Sequence, residues 1–201
     1  ALADDRFQLF SQPIVSVADR SLGHSEVLIR MVNEDGSLRS PIEFIPQAES
    51  LNLVQQIDRW VVARAMETWR SRSDVEEPLH LAINVSGRSV GREIASYLCE
   101  QADSHSVLHE AITVEITETA AMQDDSFAAD MAEALHDAGF KLAIDDFGSG
   151  ATSLAKVREL RFEYLKLDGI LVKDLAESEA DREFVSALAK LAHDIGVEVI
   201  A

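Results

Sequence analysis

Seven apolar runs recur along the chain with the texture of strands: "FQLFSQPIVSV" (7–17), "HSEVLIRM" (24–31), "LHLAINVS" (79–86), "AITVEIT" (111–117), "FKLAIDD" (140–146), "FEYLKLD" (162–168) and "VEVIA" (197–201). Between most of them the apolar period lengthens to that of a helix. Val54, Ile57, Val61 and Ala65 fall on one face of 53–69, and Phe184, Leu188, Leu191 and Ile195 on one face of 180–195. From about residue 80 strand and helix alternate, which predicts parallel βαβ units. The first two runs are joined only by "ADRSLG" (18–23), too short for a crossover, so they predict an antiparallel hairpin. The expectation is an α/β fold, a modified TIM-type β/α barrel whose first strand is antiparallel; an open doubly wound sheet is the alternative. The run at 197–201 would be the seventh strand and would leave an eight-stranded barrel without its last, so Ala201 is expected to precede the natural end of the domain.

Strand residues alternate sides, so charges inside apolar strands are informative. Glu26, Leu28 and Arg30 share one face of the second run, Asn84 lies near the end of the third, and Glu115 interrupts the fourth. Asp145 and Asp146 close the fifth run, and Lys166 and Asp168 close the sixth. Each has an ordinary explanation: Glu26–Arg30 as a buried ion pair, Asn84 with Ser86 as turn chemistry, Asp146 as a cap, Lys166–Asp168 as a surface pair. Together they put a charge or an amide near the C-terminal end of strand after strand, where β/α barrels build active sites. Acids converging there would be costly without cations. An all-oxygen set suits Mg²⁺ or Mn²⁺ rather than zinc. The adjacent Asp145 and Asp146 suggest a carboxylate shared by two ions, ~3.5–4 Å apart in two-metal enzymes that attack phosphodiesters.

Composition narrows the classes. The 201 residues carry 36 acids against 18 Lys and Arg, a net charge of −18, which argues against nucleic-acid polymers and anionic membranes as partners. No apolar stretch is long enough for a membrane span, and "ALADDRFQLF" opens with acids rather than a basic leader, so a cytoplasmic location is the default, with a membrane-tethered parent protein still compatible. The single Cys99 excludes an internal disulfide and a thiolate cluster and reads as helix-face packing. His24, His80, His136 and His193 are scattered and read as surface or supporting residues, and "HSVLHE" lacks the pattern of a zinc protease.

Taken in order, "QPIV" (12–15), "EVLIR" (26–30), "PIEFIPQAE" (41–49), "INVS" (83–86), "VEITET" (114–119), "DDFGSG" (145–150) and "LKLDGILV" (165–172) resemble the EAL domain family, the phosphodiesterases and receptors of cyclic di-GMP. The resemblance spans 1–201 as one EAL-type domain, C-terminally incomplete. It implies Glu26, Asn84, Glu115 and Asp145 as metal ligands, Asp146 as the ligand shared between two Mg²⁺ or Mn²⁺ ions, and Lys166 beside the attacking water. Glu118 would hold the loop after Asp146, and Gln12 and Arg30 would contact the ligand. The implied reaction opens cyclic di-GMP to linear pGpG within a signalling protein; the alternative is a receptor that binds without cleaving. An upstream sensory or diguanylate-cyclase-like domain and a homodimer are further expectations. The naming motif reads Glu-Val-Leu here, with Val27 turned away from Glu26, and Ala151 and Thr152 replace the family's usual aromatic and serine. The family's next glutamate would follow Ala201, so residues 1–201 alone are expected to be weak or inactive as an enzyme.

Overall fold

The computed structural model describes residues 2, 4, 6–71, 80–123, 125–149 and 154–201. Strands β1 (Phe7–Val15) and β2 (Leu22–Val32) form the expected antiparallel hairpin, with Gln12 opposite Glu26. The two-residue β3 (Leu38–Arg39) adds briefly to β2, and helices α1 (Pro41–Ser50) and α2 (Val54–Ser71) follow. From there strand and helix alternate: β4 (Leu81–Asn84), α3 (Arg92–His105), β5 (Ile112–Thr117), α4 (Glu118–Gln123), α5 (Asp125–Ala138), β6 (Lys141–Phe147), α6 (Leu154–Glu159), β7 (Tyr164–Leu167), α7 (Gly169–Val172), α8 (Glu179–Asp194) and β8 (Glu198–Ile200). The strands run β1-β2-β4-β5-β6-β7-β8 in one curled sheet, parallel from β2 onward. This is a β/α half-barrel entered through an antiparallel strand. Among the described residues β1 and β8 are not paired with each other.

Alternation divides each parallel strand between two environments. Val27, Ile83, Val114, Ile116, Leu142, Ile144 and Leu165 are buried and join the core between sheet and helices. Each such side chain contributes about 1.5–3 kcal/mol when fully buried. Val54, Ile57, Val61 and Ala65 face that core from α2, as their spacing predicts. The opposite face carries Ala82 and Asn84, Thr113 and Glu115, Ala143 and Asp145, Tyr164 and Lys166, which the parallel registers place side by side. It lines the hollow of the half-barrel with small or polar groups.

Helix α8 corrects one expectation. Its buried stripe runs through Val185, Leu188, Ala192 and Ile195, while Phe184 and Leu191 stand exposed. Side-chain size pointed to the wrong face, because the inward positions include an alanine and a valine. The acidic segment at 177–181 leads into this helix: Ser178 Oγ accepts the Asp181 amide N–H, with Glu179 and Asp181 in the first turn. Cys99 lies half-buried on α3 and packs on the core.

Candidate functional site

Three strands of the sheet deliver three carboxylates to one point at their C-terminal ends. Glu26 from β2, Glu115 from β5 and Asp145 from β6 each offer an oxygen within 4.8 Å of the others. Lys166 from β7 stands among them: its Nζ donates to Glu115 Oε2 at 2.6 Å and lies 3.0 Å from Glu26 Oε2 and 3.3 Å from Asp145 Oδ1. Asn84 at the end of β4 donates from Nδ2 to Glu26 Oε1 at 2.8 Å. Glu26 therefore pairs with Lys166 rather than with Arg30, and Lys166 pairs with three acids rather than with Asp168. Asp168 instead caps α7 by accepting the Ile170 amide.

Glu115 is fully buried, 0% exposed, and its Oε1 has no hydrogen-bond partner among the described residues. Burial pushes its carboxyl up to about 7 against the pull of the Lys166 ammonium. Burial also opposes the charge of Lys166, but the Glu115 and Asp145 carboxylates outweigh it and hold the ammonium above the ordinary lysine value. One ammonium can offset only one of the three acids. The surplus negative charge and the unpartnered oxygen are what a set of hard-cation ligands shows before its cation binds, so these residues fit a divalent metal.

The paired aspartates are explained by a break in the strand. Register shifts between Ile144 and Phe147, and Asp146 adopts the left-handed conformation, φ 55°. Neighbours that would point to opposite faces now both border one cleft, together with Glu26 and Asn84. Asp145 Oδ1 accepts the Asp146 amide at 3.0 Å. Asp146 is exposed and lies outside the group of three acids, yet partial burial and the charges of Asp145 and Asp168 raise its pKa. Glu118, 2% exposed, accepts the Gly148 amide at 2.9 Å and so ties the turn after Asp146 to the start of α4. Gln12 is exposed on β1 opposite Glu26, and Arg30 is half-buried with Nη1 donating to its neighbour's Ile29 carbonyl at 2.9 Å. Among the described residues neither side chain hydrogen-bonds to the acids of the cluster. Gly150, Ala151 and Thr152 lie outside the described residues.

The cleft has a second acidic wall that the sequence reading did not assign. Asp58 of α2, 6% exposed, accepts the Ser86 amide at 3.1 Å and the Ser89 hydroxyl at 2.5 Å. Glu49 at the end of α1 accepts the Ser86 hydroxyl at 2.8 Å. Burial pushes the Asp58 carboxyl up to about 6 despite these bonds. The missed signal was its position: Asp58 sits within the apolar stripe of α2, beside Ile57.

Comparison with known proteins bears on the family and the fold. The profile of the EAL domain matches residues 1–201. The chain is 33% identical to cyclic di-GMP phosphodiesterase PdeB of Shewanella oneidensis, over all of this chain and 24% of that protein. It is likewise 33% identical to cyclic di-GMP phosphodiesterase NbdA of Pseudomonas aeruginosa, over all of this chain and 26% of the relative. The chain thus spans about a quarter of the length of these relatives. The solved structure of PaMucR phosphodiesterase in its c-di-GMP complex superposes with a TM-score of 0.92 at 28% identity, covering 99% of this chain and 81% of that one.

Proposed function

The chain belongs to the EAL domain family, and from that membership and the geometry of its acids we propose that it supplies the acidic site of a signalling protein that hydrolyses cyclic di-GMP to linear pGpG with Mg²⁺ or Mn²⁺. The observation that carries the reading is the meeting of Glu26, Glu115 and Asp145 around a buried, unpartnered carboxylate oxygen. These three with Asn84 and Asp146 would hold two cations, Asp146 being shared between them. Bound there, the cations would polarise the phosphodiester and neutralise charge developing during in-line attack.

The remaining residues act around that centre. Lys166 would exchange part of its contact with the carboxylates for the attacking water, fixing the oxygen on the line of displacement. Glu118, through the Gly148 amide, would keep the turn that aims Asp146 in its working shape. Gln12 and Arg30 would hold the ligand from the hairpin, Arg30 turning its guanidinium from the Ile29 carbonyl to a phosphate oxygen. A second reading, a receptor that binds cyclic di-GMP intact, draws on Lys166: an internal ammonium already partly balances the acids without metal.

One experiment separates these. A protein carrying residues 1–201 is incubated with cyclic di-GMP and Mg²⁺ or Mn²⁺, with EDTA and Asp146→Asn as controls, and products are resolved by chromatography. Linear pGpG that is lost with EDTA and falls about 100-fold or more in the variant supports hydrolysis. Saturable binding with the ligand recovered intact under every metal condition would leave the receptor. Failure to bind would sink both.

A further inference from the structure

Asn84 is the last residue of the short strand β4, and the sheet holds it from one side only. It lies beside Glu115 of β5, whereas pairing with β2 ends one residue earlier, at Val27 and Ile83. One more sheet bond follows, the Val85 amide donating to the Glu115 carbonyl at 2.9 Å. The chain then leaves the sheet, and side chains of α1 and α2 take over its polar groups. Asp58 Oδ2 accepts both the Ser86 amide at 3.1 Å and the Ser89 hydroxyl at 2.5 Å. It thus clasps a turn that the Ser89 amide closes on the Ser86 carbonyl at 2.8 Å. Glu49 Oε1 accepts the Ser86 hydroxyl at 2.8 Å, and Gln55 Nε2 donates to the Arg88 carbonyl at 2.9 Å. Asp58 is 6% exposed, and among the described residues no lysine or arginine offsets its charge. A carboxylate buried in this way costs stability that an apolar residue of similar volume would not.

We propose that Asp58 is a positioning residue for the metal centre: by clasping the turn at 86–89 it fixes the free end of β4, and with it the Asn84 amide that serves the cation. The inference rests on the metal reading given above. Asn84 Nδ2 is committed to Glu26 Oε1 at 2.8 Å, so Oδ1 is the atom left for a cation. That oxygen is neutral and brings no charge of its own to the ion. Its contribution therefore depends on standing ready at the short distance a hard cation demands. Residues behind the ligands supply that readiness in metal sites generally. Here Asp58 does so from a helix, on the side of β4 where the β2 ladder has already ended.

Protein carrying residues 1–201 is titrated with Mn²⁺, and the free ion is counted by its electron paramagnetic resonance. Cyclic di-GMP is left out, so that contact with that ligand plays no part. Asp58→Leu, which fills the volume but accepts no hydrogen bond, should weaken Mn²⁺ binding by ~10-fold or more. Asp58→Asn, whose amide oxygen can still accept both donors, should recover most of the affinity. Val62→Ala, a core truncation on the same helix, should lower the thermal midpoint and leave Mn²⁺ affinity as in the parent. If circular dichroism shows Asp58→Leu unfolded, Ser89→Ala takes its place; it removes one of the two bonds to Asp58 and should also weaken Mn²⁺ binding. Parent-like affinity in the folded test variant, or an equal loss in Val62→Ala, would overturn the positioning role and leave the metal centre standing. A parent protein that binds no Mn²⁺ would overturn the metal centre and this inference with it.

Discussion

Lys166 sets the electrostatic state of the whole acidic cluster, because Glu26, Glu115 and Asp145 all address its single ammonium. Removing it would leave three acids facing one another with no internal cation, and breaking buried pairs in this way costs about 3–5 kcal/mol. Lys166→Met is therefore expected to lower the urea midpoint strongly in EDTA and to recover much of the loss with millimolar Mg²⁺ or Mn²⁺. Equal destabilisation with and without the cation would remove the case for a metal centre. These partners were only partly legible in sequence. Alternation put Glu115, Lys166 and Asp145 on the inner face, but Arg30 was an equally good partner for Glu26 until the sheet curled. Asp58 was harder still: an acid followed directly by Arg59 looks like a surface residue unless the serines that bind it, 28 and 31 positions away, are already in place.

The element most exposed to single changes is the turn from β6 towards α6. It holds Asp146 at φ 55°, Gly148 at φ 100°, and the Glu118 bond to the Gly148 amide. A methyl group at Gly148 would collide with Leu171 Cδ1 in a backbone conformation that side chains rarely adopt. Gly148→Ala is expected to cost about 1–3 kcal/mol in urea unfolding and to depress turnover by displacing Asp146. A variant as stable as the parent would show that the turn is not held as described. The glycines after the aspartates marked a turn in the sequence, whereas the bulge that re-aims Asp145 and Asp146 had no marker of its own. Strands were readable because their cores are β-branched and evenly alternating. The stripe of α8 misled because Ala192 buries little yet faces inward.

For the molecule as a whole, the strand directions followed from connection lengths, a short link forcing the hairpin and intervening helices the parallel strands, whereas the sequential order that excludes a doubly wound sheet came only with the structure. The net charge of −18 works against this compact shape by self-repulsion. Raising NaCl towards ~0.5 M, where screening acts over only a few ångströms, is expected to raise the thermal midpoint of the metal-free protein; a flat or falling midpoint would mean that local pairs dominate the surface. Because each parallel strand docks on the one before it, the site also has an order of assembly. Asn84 reaches Glu26 across 58 positions, but Lys166 follows Glu115 by 51 more. A chain emerging from its N-terminus gathers its acids first and its ammonium last. During synthesis the nascent cluster is anionic and open, so a divalent ion could act as a folding partner before it ever serves a reaction.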